Sequence, residues 1–236
     1  MTVIHSSPIS DTGKKRIDLK MQEAIRTDGM ILRVAPANDF DKRVVILTKE
    51  YGKITAFAKG ARRQTNRLMA ATDLFVFGDF KLFPGRNAYS LLDINAKNFF
   101  TELRNDFTAV LYGMYFLEVM EYNTRENNDE REMLALLYQS CRAVVHPSYD
   151  KQLVRAVFDL KTIMLQGIFH RDRYQEDYLE TTRYVLDYLL ATPPEKVFSF
   201  AVREEVIGEL VRISERERAL TQNGHIYKSE EMLKVL

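Results

Sequence analysis

The feature that most limits what this chain can fold into is a change of hydrophobic period at Asn98. Apolar residues alternate before it and recur at intervals of three and four after it. Before Asn98, strand-like runs cover about 22–35, 43–50, 53–60, 73–83 and 87–96. Turn chemistry separates them: Pro36-Ala37-Asn38-Asp39 after the first, Tyr51-Gly52 after the second, and Pro84-Gly85-Arg86 between the last two. In the third run Ile54, Ala56 and Ala58 share one face, while Lys53, Thr55, Phe57 and Lys59 share the other. Five short strands, with a helical turn around 67–71 before the fourth, predict a small five-stranded barrel of the oligonucleotide-binding (OB) type.

After Asn98, Phe107, Val110, Leu111, Met114, Leu117 and Met120 follow helical spacing, as do Leu153, Val157, Leu160 and Met164. Further helices are expected at about 129–145, 174–191 and 199–213. Asn127-Asn128-Asp129 and Pro147-Ser148-Tyr149-Asp150 supply start signals. The expected architecture is therefore α+β: an irregular leader over 1–20, a barrel domain over 21–97 and an all-helical domain over 98–236.

With 236 residues, 46% of them hydrophobic, the chain can bury a sizeable core. The formal net charge of +1 hides an asymmetry, because residues 1–96 carry a net +6 and the remainder a net −5. A basic first half points to a polyanion partner. The single cysteine, Cys141, makes no internal disulfide, and His5, His146, His170 and His225 are scattered, which fits a reducing compartment without structural zinc. No apolar stretch reaches membrane-span length and no secretion signal opens the chain. The expected location is cytoplasmic, alongside the nucleoid, with no membrane partner.

Catalytic, metal and cofactor signatures are missing from the sequence. Gly13-Lys14 does not make a phosphate loop, because Pro8 stands where the earlier glycine is required. Cys141 shares an apolar helix face with Leu134, Leu137 and Val144, so a buried structural role is expected. Asp39 and Asp41 read as turn chemistry and charge pairing beside Lys42 and Arg43. The runs Glu215-Arg216-Glu217-Arg218 and Asp129-Glu130-Arg131-Glu132 read as solvated helix faces, and the stripe from Phe107 to Met120 reads as core. What remains is a basic set at strand ends and loops: Arg33, Lys42, Arg43, Lys53, Lys59, Arg62, Arg63, Arg67, Lys81 and Arg86. Such cations neutralise phosphates almost regardless of base sequence, and Tyr51, Phe57 and Tyr89 add stacking surfaces if they face outward.

Several segments then resemble one family. They are Glu23-Ala24-Ile25, Ile31-Leu32-Arg33-Val34, Val44-Val45-Ile46-Leu47-Thr48-Lys49-Glu50-Tyr51-Gly52-Lys53-Ile54, Lys59-Gly60-Ala61-Arg62-Arg63 and Pro84-Gly85-Arg86-Asn87-Ala88-Tyr89. More generic matches continue through Asp159-Leu160-Lys161-Thr162-Ile163-Met164-Leu165-Gln166-Gly167-Ile168 to Tyr227-Lys228-Ser229. Together they resemble the RecO family of bacterial recombination mediators.

The resemblance implies an N-terminal OB barrel, a helical C-terminal domain, and binding of single- and double-stranded DNA. It implies annealing of complementary strands and, with RecR and in many species RecF, loading of recombinase onto strands coated by single-stranded-DNA-binding protein. No bond chemistry and no cofactor are implied. The basic loops would hold phosphates, and the helical domain would receive the coating protein's acidic, apolar-ended tail, with Lys151, Arg155 and Lys161 as candidate receivers. Many members carry a four-cysteine zinc module after the helix ending near Gly167-Ile168. Here Phe169-His170-Arg171-Asp172-Arg173 follows, which implies a zinc-free variant. The same barrel would also suit an RNA-binding module, and basic loops would also suit a scaffold meeting an acidic protein. A hydrolase lacks any visible nucleophile and base.

Overall fold

A computed structural model describes residues 23–175, 177–222 and 225–235. The leader over 1–20 and Gly13-Lys14 lie outside them. The strands are β1 (Ile25–Ala37), β2 (Asp41–Thr48), β3 (Gly52–Ala58), β4 (Phe77–Phe83) and β5 (Tyr89–Asn98), with the short helix α1 (Leu68–Ala71) between β3 and β4. They close into a barrel in the order β1-β2-β3-β5-β4, with only β3 and β5 parallel. This is an OB fold. Alternation sets its interior: Ile54, Ala56 and Ala58 of β3 are buried, meeting Ile31, Val44, Ile46, Phe80, Leu82 and Leu91, with Leu68 of α1 in the same core.

β1 outlasts its predicted end because Pro36 and Ala37 pair with Lys42 and Asp41, leaving Asn38 (φ 50°) to begin the turn. β4 starts later than expected, since the backbone at 75–76 bonds to Ile31 rather than to a neighbouring ladder.

Helices follow: α2 (Thr101–Asn105), α3 (Phe107–Asn123), α4 (Arg131–Ala143), α5 (Lys151–Leu165), α6 (Glu180–Ala191), α7 (Glu204–Thr221) and α8 (Lys228–Leu233). Asp106 caps α3 by accepting from Ala109 N at 2.9 Å, and Asp150 caps α5 by accepting from Gln152 N and Leu153 N. The helix expected from 174 starts at Glu180, because a 3-10 turn at Arg171–Arg173 precedes it and Tyr174 turns into the core. The one expected at 199–213 runs Glu204–Thr221 instead, and α8 was not expected.

Neither dense charge run is a wholly solvated face. Glu217 is fully buried and accepts from Tyr174 OH at 2.6 Å and Arg173 Nη1 at 3.1 Å. Arg218 reaches Tyr115 OH and Glu230. Glu130 is buried too and accepts from Asn128 Nδ2 at 2.9 Å. Helical geometry explains this, since consecutive residues of such a run point in different directions and some of them meet a neighbour. The Phe107 to Met120 stripe is core except at its start, where Phe107 is exposed.

β1 and β2 are covered on both sides. Ile31, Val44 and Ile46 point into the barrel, while Met30, Leu32, Val45 and Leu47 belong to the same core as Phe116, Met120, Leu136 and Leu137 of the helices. α3 and α4 pack directly on these strands. Each fully buried aliphatic side chain here contributes about 1.5–3 kcal/mol.

The loop between α3 and α4 adds a backbone clasp on the β2–β3 hairpin. Lys53 N donates to Arg125 O at 2.9 Å, Asn127 N to Tyr51 O at 3.0 Å, and Glu130 N to Lys49 O at 3.1 Å. Gly52 sits at φ +66°, and a Cβ there would strike the Arg125 carbonyl. Gly52→Ala is expected to destabilise the fold by roughly 2–4 kcal/mol, combining left-handed strain with overpacking. Urea unfolding of the full chain checks it; a loss below about 0.5 kcal/mol, the range of ordinary surface changes, would show that the clasp does not hold the hairpin.

Candidate nucleic-acid interface

Two loops at one end of the barrel are zipped together. The β1–β2 turn carries Asn38, Asp39 and Phe40, and the loop after β3 runs from Lys59 to Arg67. Asp41 Oδ1 accepts from Gly60 N at 2.8 Å, and Arg62 N donates to Phe40 O at 2.9 Å. Arg62 Nη1 also reaches the carbonyls of Asn38 and Asp39, at 3.3 and 3.1 Å. The Arg63 guanidinium lies over the Phe40 ring, 4.5 Å from its centroid. The Gly60 amide and the Asn38 side chain hold the Asp41 carboxyl below the usual carboxylate range. Asp41 thus acts through turn chemistry and Asp39 through its carbonyl, while neither makes the expected charge pair with Lys42 or Arg43 among the described residues.

Next to this loop pair the barrel wall presents a row running across four strands. Register places Arg43 of β2 beside Phe57 of β3, Phe57 beside Ser90 of β5, and Ser90 beside Phe83 of β4. Directly opposed residues share a face, so these side chains line one surface. Phe57 is 38% exposed, and Phe83 and Leu92 are each 42% exposed. Strand spacing puts Phe57 and Phe83 roughly 10 Å apart, with the small Ser90 between them. Lys59 and Arg67 border the shallow groove that Phe57, Leu68, Phe83, Ser90 and Leu92 line. Arg67 also lies 3.4 Å from Asp93. Flat apolar rings flanked by cations can take bases on the rings and phosphates at the rim.

Phe83 and Leu92 were missed in the sequence. Parity held the signal for Phe83: with Phe80 and Leu82 inward, it must point out. Tyr51 and Tyr89 are only half exposed and pack against the barrel core, so they offer less ring area than Phe57. Burial, then Glu126 and Tyr51, push the Tyr89 hydroxyl above its ordinary value.

The structure divides the ten cations. Arg43, Lys59, Arg62, Arg63 and Arg67 gather around the zipped loops and the row. Lys42 lies behind them, its Nζ donating to the carbonyls of Met69 and Thr72 at 2.9 Å each. Burial pushes its ammonium down, with Asp73 opposing. Arg33 and Lys53 face the helices instead: Arg33 Nη2 is 2.9 Å from Glu121 Oε1, and Lys53 Nζ bonds the Glu121 carbonyl. Lys81 stands between Arg26 and Asp93 in register, and Arg86 lies in the β4–β5 turn.

The three candidate tail receivers on α5 are not brought together. Lys151 Nζ donates to Val144 O at 2.8 Å, and Arg155 pairs with Glu230 at 2.6 Å. Lys161 is buried, its Nζ held by the carbonyls of Leu189 and Thr192 at 2.8 Å each. Cys141 is fully buried, and burial pushes its thiol well up, away from reactivity. Among the described residues no helix is long and apolar enough to cross a membrane, and no group of three His, Cys, Asp or Glu is placed to hold a metal ion.

A family model described as "Recombination protein O N terminal" matches residues 21–100. The chain is 33% identical over 144 residues to the DNA repair protein RecO of Alkaliphilus metalliredigens, covering 61% of this chain and 58% of that protein. It is 35% identical over 140 residues to that of Symbiobacterium thermophilum, covering 59% and 55%. With that of Acetivibrio thermocellus, identity is 23% over 224 residues, covering 81% and 89%. Over residues 21–100 the chain is similar to the N-terminal domain of RecO proteins. The RecO match spans all five strands, both zipped loops and the outer row. The chain spans somewhat more than half the length of the first two RecO relatives.

Neighbouring cations on β2 should separate in their effects. Lys42→Ala, which bares two carbonyls, is expected to cost roughly 1–3 kcal/mol of stability. Arg43→Ala, on the open face, should stay within about 0.5 kcal/mol. Urea titrations of both proteins check this, and equal losses would contradict the division between them.

Proposed function

We propose that the chain is a non-catalytic DNA-binding recombination mediator. The barrel over 21–97 binds single- and double-stranded DNA and anneals complementary strands. The helical part over 98–236 meets the acidic tail of single-stranded-DNA-binding protein, and the chain works with RecR, in many species RecF, so that recombinase loads onto coated strands. The observation that carries the DNA reading is the outer row, where Arg43 is followed by the rings of Phe57 and Phe83 with Ser90 between them, beside Lys59, Arg63 and Arg67. The relatives' shared description as DNA repair proteins supports it.

The chemistry of annealing needs no bond-making group. Two strands that repel each other at short range are held close once a cationic surface neutralises their phosphates. Stacking on Phe57 and Phe83 would favour a single strand, since a duplex keeps its base faces covered. Arg33, Lys42 and Lys53 are assigned to the fold rather than to DNA, because each is bonded to Glu121 or to the end of α1. Arg62 has a mixed role, since its guanidinium also ties the β1–β2 turn.

Stacking and charge can be read separately by titrating a labelled single strand at several salt concentrations. Phe57→Ala with Phe83→Ala is expected to weaken binding by about 1–3 kcal/mol per missing stack while leaving the salt slope intact. Replacing Arg43, Lys59 and Arg63 by Ala should flatten the slope by about 0.7 for each phosphate no longer neutralised. If the wild-type chain shifts no single strand at low salt, the DNA reading fails; if matched RNA competes better than DNA, the barrel is an RNA module.

A further inference from the structure

α8 is anchored by the buried Tyr227 just before it and by Leu233 at its end, and charge fastens what lies between; Met232 is 50% exposed. At its start Glu118 of α3 accepts from Lys228 N at 3.2 Å, Ser229 N at 2.9 Å and Ser229 Oγ at 2.6 Å. Further along, Glu230 Oε1 receives Arg155 Nη2 of α5 and Arg218 Nη2 of α7, both at 2.6 Å. Burial works against ionising Glu230, but Arg218 and Arg155 outweigh it and hold the carboxyl below its ordinary value.

Under α8 the charges do not balance without Glu230. Asp159 is the carboxylate that α5 supplies there, 3.8 Å from Arg155 Nε and 3.7 Å from Arg218 Nη1. Its other oxygen accepts from Tyr115 OH at 2.8 Å. Two guanidiniums against one carboxylate leave a poorly hydrated cation, which is strongly unfavourable unless a second anion arrives. Arg218 Nε, buried and without a partner among the described residues, leaves one donor over. Beside Arg155 lies a recess of about 220 Å³ whose apolar lining is Tyr112, Ala156, Val211 and, from α8 itself, Leu233, and whose polar lining includes Gln152, Ser214, Glu215 and Lys234.

We infer that α8 is a tethered occupant of a carboxylate receptor built by Arg155 and Arg218, and that an acidic peptide with an apolar end displaces it. The occupant already in place defines the chemistry: a carboxylate at Glu230 and an apolar side chain at Leu233, one helical turn apart. A competitor must offer the same pair, an acid for the two arginines and an apolar group for the recess. This rests on the acidic-tail part of the proposed function and gives it both a location and a means of regulation. A tethered segment competes at an effective concentration of about millimolar, so the closed form binds peptide weakly and loosening α8 strengthens binding by the fraction of time it had been shut.

The test uses the full chain and a fluorescent peptide of several aspartates ending in phenylalanine. Glu230→Gln is expected to bind it roughly tenfold tighter than wild type, as a latch open about a tenth of the time requires. Adding Arg218→Ala to that variant should remove the gain. On the wild-type protein, hydrogen exchange at the amides of α8 should speed up as peptide saturates, a readout that needs no substitution to fold. Unchanged affinity in a folded Glu230→Gln, or unaltered α8 exchange at saturating peptide, overturns the inference. Single-strand binding by the same proteins is measured alongside: its absence counts against the DNA reading, while the peptide result stands by itself.

Discussion

β1 and β2 have no solvent-facing side over their central residues, and the remainder of the molecule depends on that double burial. A five-stranded barrel of this size has a small interior, filled here by side chains such as Ile31, Val44, Ile46 and Phe80. The outward residues Met30, Leu32, Val45 and Leu47 extend the helical core instead of facing water. Two cores therefore share two strands, and an element that belongs to both cannot shift in one without disturbing the other. This fixes which side of the barrel is closed. The side away from the helices, where Arg43, Phe57, Ser90 and Phe83 line up, is left open.

Charge is divided along the same line. A lysine facing the helices finds a carbonyl, as Lys53 does at Glu121, and a lysine facing α1 finds two, as Lys42 does. Those bonds satisfy backbone acceptors at helix ends, where carbonyls lack intrahelical partners. Arg43, of opposite parity to Lys42, and Lys59, on the same face as Lys53 but beyond the far end of β3, stay with the open side. Helical charges follow suit: Glu217, Arg218 and Asp159 are internal, and partner chemistry from three helices keeps them there.

Much of this was legible in the sequence, and the reasons differ by element. The barrel was readable because alternation and turn residues are local, as in Tyr51-Gly52 and Pro84-Gly85-Arg86. The face of Phe57 followed from Ile54, Ala56 and Ala58. What could not be read was tertiary. Whether Glu215 to Arg218 meets water depends on α3, α5 and α8 lying against α7, and no period encodes that. Lys161 looked like a surface cation until α6 ended over it. The run Val44-Val45-Ile46-Leu47 did hold an unread signal, because a strand apolar at every position needs cover on both faces.

β3 joins two places that the sequence presents as one continuous stretch. At one end Gly52 and Lys53 are fastened to the α3–α4 loop, and at the other Phe57 stands on the open row with Lys59 just beyond it. The strand is a rod roughly 20 Å long, paired along one side to β2 and near its end to β5. A pull on its outer end is met by ladder bonds loaded side by side in shear, not peeled one at a time. Force applied at the row would thus be shared with β2 on its way to the clasped end, making the barrel a stiff handle rather than a compliant one.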